Sequence, residues 1–313
     1  MTHQTLIAAI SLWPMNGDGT EPHNKKRKCF QLSRSCPPNY KGNLPAVKIW
    51  KCRDPVRFCC GPTPLVIHER LANAALIFAF DCETHELIPE HSSQWTTTRF
   101  GFKAQVDEQV VRHLRLVQLG WACGNIAWSK PSVHQHLIKP EGFDISPGAS
   151  HKHKITNCAA STDGELLRDV LCRLVDEASA CCDAGGRMAA HHLGFDSIII
   201  FYELHRAGLD HLQDKWADIV RHGFCTMDPD VACWVRDGAG LRDKSGRVIS
   251  WGNPIGLKDL LSLLAPQYNN LHARHHTADV DAKMCWLICQ ELLRLAGLLG
   301  DRTEPPCTSR DGF

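Results

Sequence analysis

The stretch Leu76-Ile77-Phe78-Ala79-Phe80-Asp81-Cys82-Glu83-Thr84 decides how this chain is read. Its first five residues form an unbroken apolar run of strand length, as expected for a strand buried on both faces. At its end, Asp81 and Glu83 stand two residues apart. Strand side chains alternate, so both carboxylates project to one face while Cys82 points to the other. Two carboxylates held side by side repel unless they are protonated or neutralised by a cation, and hard oxygen ligands suit Mg²⁺ or Mn²⁺. On its own, an Asp-x-Glu at a strand end has the ordinary reading of a solvated turn.

Working outward, Leu114–Cys123 and Val133–Ile138 read as two more strands, and Met188–Ala190 as a short one. Residues 164–182 carry Leu167, Leu171, Leu174, Val175 and Ala178 at helical spacing. Asp196–Ala207 reads as a helix closed by Gly208, and Ala278–Leu299 as a long amphipathic one. Strands that precede and then alternate with helices predict an α/β sheet with some antiparallel pairing. Trp121, Trp286 and Phe80 lie in apolar periodic segments and are expected in the core. Trp95, Trp128 and Trp251 lie in loop-like stretches and are candidate stacking surfaces. Residues 90–112 form a long connection that could lie on the substrate side.

Two further acids stand near apolar helices. Asp196 follows His191-His192-Leu193-Gly194-Phe195, where helix capping is the ordinary explanation. Asp281 lies one turn inside the last helix, on the side of Cys285 and Ile288, where a carboxylate is costly unless paired or metal-bound. His276, five residues earlier, falls in the lead-in to the same helix. A polar surface loop would equally explain His275-His276.

Taken together and in this order, the acids at 81, 83, 196 and 281 with His276 resemble the DnaQ-like DEDDh 3′–5′ exonucleases. The resemblance runs from about Leu76 to Glu291. It includes Phe80-Asp81-Cys82-Glu83-Thr84, Leu116-Val117-Gln118-Leu119-Gly120, Leu137–Phe143, His153-Lys154-Ile155-Thr156, His191–Asp196, Phe224-Cys225-Thr226-Met227 and His276–Asp281. It implies a ribonuclease-H-like α/β fold, a mixed central sheet flanked by helices. It also implies two Mg²⁺ or Mn²⁺ ions held by Asp81, Glu83, Asp196 and Asp281, with His276 as general base. Ions about 3.5–4 Å apart can stabilise both oxygens of an in-line displacement at phosphorus. An unperturbed His276, with a pKa near 6.5, would set a fall in rate below about pH 6.5. Thr84, Leu87 and His191 are the implied substrate contacts, Leu87 as a wedge against the terminal base. The sequence departs from the family pattern at His85 and Glu86, where Thr and Gly are usual, at His192 for Asn, and at Lys154 for Gly. None of these removes a metal ligand.

The resemblance implies hydrolysis at nucleic acid 3′ ends to nucleoside 5′-monophosphates, with single-stranded DNA slightly favoured over RNA. The alternatives are an RNA-trimming exoribonuclease and a catalytically silent nucleic-acid-binding module on the same fold.

Composition frames this reading. The 313 residues are 43% hydrophobic and 22% charged, which excludes collagen, coiled coil and wholesale disorder. The net charge of +1 conceals a division. Between Asn24 and Arg57 there are ten Lys/Arg and one acid, which leaves 25 basic and 33 acidic residues elsewhere. Residues 1–70 read as a basic, Cys- and Pro-containing, weakly ordered extension, 71–300 as the exonuclease domain, and 301–313 as a tail. The Lys25–Lys28 cluster reads as a nuclear-localisation-like patch, a phosphate-binding arm or a solvated charge run. No apolar run approaches the roughly 20 residues of a membrane span, and no Lys or Arg precedes Lys25 as a secretory signal would require. An intracellular protein with reduced thiols is expected, nuclear or cytoplasmic. Cys29, Cys36, Cys52 and Cys59 repeat a C-x6-C unit, wider than the ligand spacing of structural zinc sites, so zinc there is the weaker reading.

Overall fold

The computed structural model describes residues 64–88, 96–101, 103–104, 107–127, 130–238 and 254–299. The Lys25–Lys28 cluster, the four Cys29–Cys59 thiols, Trp95, Trp128, Trp251 and the tail from residue 301 lie outside them.

Seven strands and ten α-helices are present among the described residues. The strands are β1 (Leu76–Thr84), β2 (Thr96–Thr97), β3 (Lys103–Ala104), β4 (Leu116–Asn125), β5 (Ser132–Leu137), β6 (Arg187–Ala190) and β7 (Phe224–Cys225). The helices are α1 (Leu65–Arg70), α2 (Glu108–Val111), α3 (Pro147–His153), α4 (Asn157–Asp163) and α5 (Leu167–Asp183), then α6 (Leu193–Arg206), α7 (Gln213–Arg221), α8 (Pro229–Gly238), α9 (Leu257–Leu264) and α10 (Ala278–Leu295). The main sheet has the order β5-β4-β1-β6-β7. β1 pairs antiparallel with β4 and parallel with β6, and β4 pairs antiparallel with β5. This is a mixed sheet flanked by helices, with the apolar 76–80 run at its centre. β2 and β3 form a separate hairpin.

Alternation along β1 sorts the two cores. Phe78, Phe80 and Cys82 join α5, α6 and α7 on one face. Ile77 and Ala79 join α8, α9 and α10 on the other. Asp81 and Glu83 continue the second set, so the sheet's own period aims them at α10. Phe80, Trp121 and Trp286 are fully buried, as expected.

Several boundaries differ from the sequence reading. α6 begins at Leu193 rather than Asp196, because the turn from His192 already closes backbone bonds from Phe195 and Asp196 to the His192 carbonyl. α10 stops at Leu295, where Gly297 takes a left-handed φ of 70°. The expected extension to residue 70 includes α1, and its Ile67 is fully buried in the second core. The folded domain therefore starts by residue 64, and a truncation that removed residues 1–70 would cut into the core.

One glycine fixes how α10 meets the sheet. Gly120 of β4 lies opposite Asp81 of β1. A Cβ at residue 120 would stand 2.2 Å from the Ala278 carbonyl carbon and 2.3 Å from the Asp279 nitrogen. The first turn of α10 thus rests on bare strand backbone. Gln118, two residues earlier on the same face, accepts from the Ala278 N–H at 2.8 Å and satisfies a donor the helix cannot use internally. Gly120→Ala is expected to lower unfolding free energy by about 3 kcal/mol in urea titration, since backbone rather than a flexible side chain must yield.

Candidate active site

Asp81, Glu83 and Asp281 form one cluster, with a carboxylate oxygen from each lying within 4.8 Å of the others. β1 supplies two of them through its period of two, and α10 supplies the third from its first turn. Asp196, in the first turn of α6, is buried beside Cys82, and its Oδ2 is buried with no hydrogen-bond partner. Burial pushes Asp81 well above the usual carboxylate range, and the charges of Asp196, Asp281 and Glu83 push it further. Asp196 is raised chiefly by burial too. Glu83 is raised to about 7, first by burial and then by Asp281, against a lowering influence of Lys152. Mutually repelling buried carboxylates, one with an orphaned oxygen, fit a hard divalent cation.

His276 joins the same corner. Its ring nitrogen, a His275 ring nitrogen and an Asp281 oxygen lie within 4.8 Å of one another. Asp281 accepts from the His276 backbone N–H through Oδ2 at 3.1 Å, and its Oδ1 lies 2.9 Å from His275 Nδ1. The two imidazoles have centroids 3.7 Å apart. His276 adopts a left-handed φ of 70°, uncommon for a side chain of its size. Burial, then the nearby His275, Lys152, Lys258 and His153, lowers it to about 4. The break near pH 6.5 expected from an unperturbed His276 is therefore corrected downward: this imidazole is neutral throughout the physiological range.

The three implied substrate contacts fall differently. Leu87 is 49% exposed, and its Cδ1 would lie 3.5 Å from a Cβ added at Gly148. Thr84 is buried, with Oγ1 donating to the Glu86 carbonyl at 2.8 Å. His191 is turned inward, its Nδ1 2.8 Å from Thr226 Oγ1, and burial lowers it to about 3. That ring ties the lead-in of α6 to the segment after β7.

Two of the four departures from the expected pattern, His85 and Lys154, have local explanations. His85 folds back into the domain, accepting from Arg115 N–H at 3.1 Å and packing edge-on to Phe143. Lys154 takes a φ of 65° as the left-handed cap of α3, which is why glycine suits that position.

Four residues near the cluster were not singled out by sequence reasoning: His275, His153, Gln118 and Gly120. His153 is buried and places Nε2 3.3 Å from the Thr84 carbonyl, bracing the end of β1. His275 carried a signal, an unexplained second histidine beside His276. The other three lie in the quoted segments 116–120 and 153–156, but their roles depend on contacts with backbone that the sequence does not display.

A scan against protein-family models finds no match, and a search of curated proteins finds none. Among solved structures, E. coli exonuclease I in complex with a dT13 oligonucleotide is similar over 70% of this chain and 41% of that one, at 15% identity and a TM-score of 0.49. The zinc-ion-bound form of the E. coli exonuclease I–single-stranded DNA complex is similar over 71% and 42%, at 17% identity and 0.47. Exonuclease I from Methylocaldum szegediense is similar over 71% and 40%, at 18% identity and 0.46. The chain spans less than half the length of these structures.

The raised carboxyls make a stability statement. Glu83 moves from an ordinary 4.5 to about 7, so the folded protein holds that proton more tightly than the unfolded one. Stability of the metal-free protein therefore falls as pH rises through this window. Calorimetry without metal should give a lower Tm at pH 8 than at pH 5.5, and Glu83→Gln should shrink the difference. Asp81→Asn should raise the metal-free Tm at pH 8 by on the order of 5 °C. Mg²⁺ should stabilise the unsubstituted protein and not Asp81→Asn.

Proposed function

We propose that this chain is a metal-dependent 3′–5′ exonuclease that hydrolyses phosphodiester bonds at nucleic acid 3′ ends and releases nucleoside 5′-monophosphates. The observation that carries the reading is the gathering of Asp81, Glu83 and Asp281 into one cluster beside a neutral His276. The ordered sequence motifs from residue 76 to 291 support it independently.

Asp81, Glu83, Asp196 and Asp281 would hold two Mg²⁺ or Mn²⁺ ions. Bound there, such cations neutralise charge building on the attacking and leaving oxygens of the phosphodiester. His276 supplies an unprotonated ring nitrogen that takes the proton of the attacking water. As the water oxygen bonds to phosphorus, the bond to the 3′-oxygen breaks and that oxygen takes up a proton from solvent. His275, through its contact with Asp281, orients the carboxylate and the lead-in that carries His276. Leu87, exposed and apolar at the end of the turn after β1, suits contact with the terminal base. Recognition of a ribose 2′-OH requires dedicated local donors and acceptors, and no sequence element supplies a recognisable set, so DNA is slightly favoured.

The test is cleavage of 3′-labelled single-stranded DNA and RNA with Mg²⁺, the product identified as nucleoside 5′-monophosphate. Asp81→Ala and Asp196→Ala should each lower kcat by on the order of 10³-fold. His276→Asn, which tolerates the left-handed backbone, should lower it about 10²–10⁴-fold. Binding without cleavage by the unsubstituted chain would identify the silent module instead.

The pH profile carries a second expectation. The acid limb should lie near pH 7 at limiting Mg²⁺, where protonation of Glu83 competes with cation binding, and should move to lower pH as Mg²⁺ is raised tenfold. A limb fixed near 6.5 at every Mg²⁺ concentration would instead identify an ordinary histidine.

A further inference from the structure

Away from the acidic cluster, three arginines from three separate elements line one cavity of about 490 Å³: Arg70, Arg99 and Arg221. Arg70 ends α1 and Arg221 ends α7. Arg99 sits in the turn of the β2–β3 hairpin, where the Gly101 N–H donates to the Thr98 carbonyl at 2.9 Å. None of the residues lining the cavity is acidic.

The arginines are held in place. Phe100 is buried and packs edge-on to Phe201 at 5.7 Å, which docks the hairpin on α6. Arg99 stacks on the Phe201 ring at 4.5 Å, donates to Tyr202 Oη at 3.0 Å and pairs with Glu108. Arg70 donates to the Arg221 carbonyl at 2.8 Å, which brings the ends of α1 and α7 together. Arg221 pairs with Asp218 at 2.9 Å on the exposed side of α7. Gly101 has a φ of 80° and no atom within 4 Å of its missing side chain, so the mouth is open there.

A capping role explains an arginine at either helix end, because a cation favours a helix C-terminus. It does not explain why the hairpin delivers a third guanidinium to the same cavity. Glu108 and Asp218 offset Arg99 and Arg221 from outside the lining, while inside the opening the three guanidinium groups meet with no carboxylate among the lining residues, an arrangement that an anion between them would relieve. Guanidinium forks match phosphate oxygens, and an aromatic floor beneath charged rims suits a phosphate attached to a larger body.

We propose that this cavity is a second phosphate-binding site that holds a backbone phosphate of a nucleic acid strand outside the catalytic cluster. The identity of the polyanion rests on the exonuclease reading; the anion site itself does not. The hairpin lies within the long 90–112 connection, which supplies this site's third cation.

The experiment uses the full chain with EDTA present, so that no cleavage intervenes. Affinity for a fluorescein-labelled single-stranded oligonucleotide is followed by anisotropy across a salt series. Arg70→Gln combined with Arg221→Gln should weaken binding about tenfold and reduce the slope of log affinity against log salt by about 0.7, the share of one phosphate contact on a single strand. Arg70→Lys with Arg221→Lys keeps both charges and should retain most of the slope. Thermal melting establishes that both variants fold, and an Arg99→Gln variant offers a third position if the double variant does not. Cleavage of thymidine 5′-p-nitrophenyl phosphate with Mg²⁺, a substrate too small to span both sites, should be unchanged in these variants. Failure of the unsubstituted chain on that substrate would count against the exonuclease reading and leave the anisotropy result standing. Unchanged affinity and salt slope in folded Gln variants would overturn the proposal. So would calorimetric saturation of the cavity by free nucleoside 5′-monophosphate with oligonucleotide affinity unmoved by the substitutions.

Discussion

The first turn of α10 lies directly on the backbone of β4 at Gly120, and the site depends on that approach. With no side chain at residue 120, Ala278 and Asp279 sit within van der Waals distance of the strand, and Gln118 receives a helix N–H that would otherwise be buried without a partner. Since Gly120 faces Asp81 across the β1–β4 ladder, the same approach sets how far Asp281 stands from the two carboxylates of β1. A wider spacing would divide the cluster into a pair of acids on a strand and an unrelated third on a helix.

What the approach creates is an electrostatic debt. Asp81, Glu83 and Asp196 are raised chiefly by burial and further by neighbouring carboxylates, and the orphaned Oδ2 of Asp196 is the kind of unsatisfied group that folded proteins keep only for a reason. Stability is lost at the cluster and recovered elsewhere. The recovery is visible in the two apolar cores and in the buried Glu203, which pairs with both Arg115 and Arg206 and accepts from the Leu116 N–H, anchoring α6 to the start of β4. The strained His276 backbone belongs to the same account: local cost concentrated where geometry has to be exact enough to matter.

Much of this was legible in the sequence. The apolar run 76–80 announced a central strand, and the strict alternation beyond it placed Asp81 and Glu83 on one face. The five motif residues could be chosen because they recur in a fixed order. What could not be read was whatever depends on a position's surroundings rather than its identity. A glycine at 120 looks like any strand glycine until a helix is laid over it. The inward turn of His191 depends on Thr226, thirty-five residues away in the chain. The pKa of His276 required knowing that four positive or potentially positive side chains and a buried wall stand around it. The start of α6 slipped by a turn for the same reason: backbone bonding from His192 began the helix before any side-chain signal.

The contact between His275 and Asp281 has a consequence for how the site would fill. In the metal-free protein Asp281 already has a partner on each oxygen, the His275 imidazole on one and the His276 amide on the other. A cation that recruits Asp281 must compete with the first of these, while Asp81, Glu83 and Asp196 must surrender whatever protons their raised affinities hold. Loading would therefore be an exchange of protons for metal, and its apparent heat would depend on the ionisation enthalpy of the buffer that receives them. Before any cation arrives, this corner of the fold is a small store of acid.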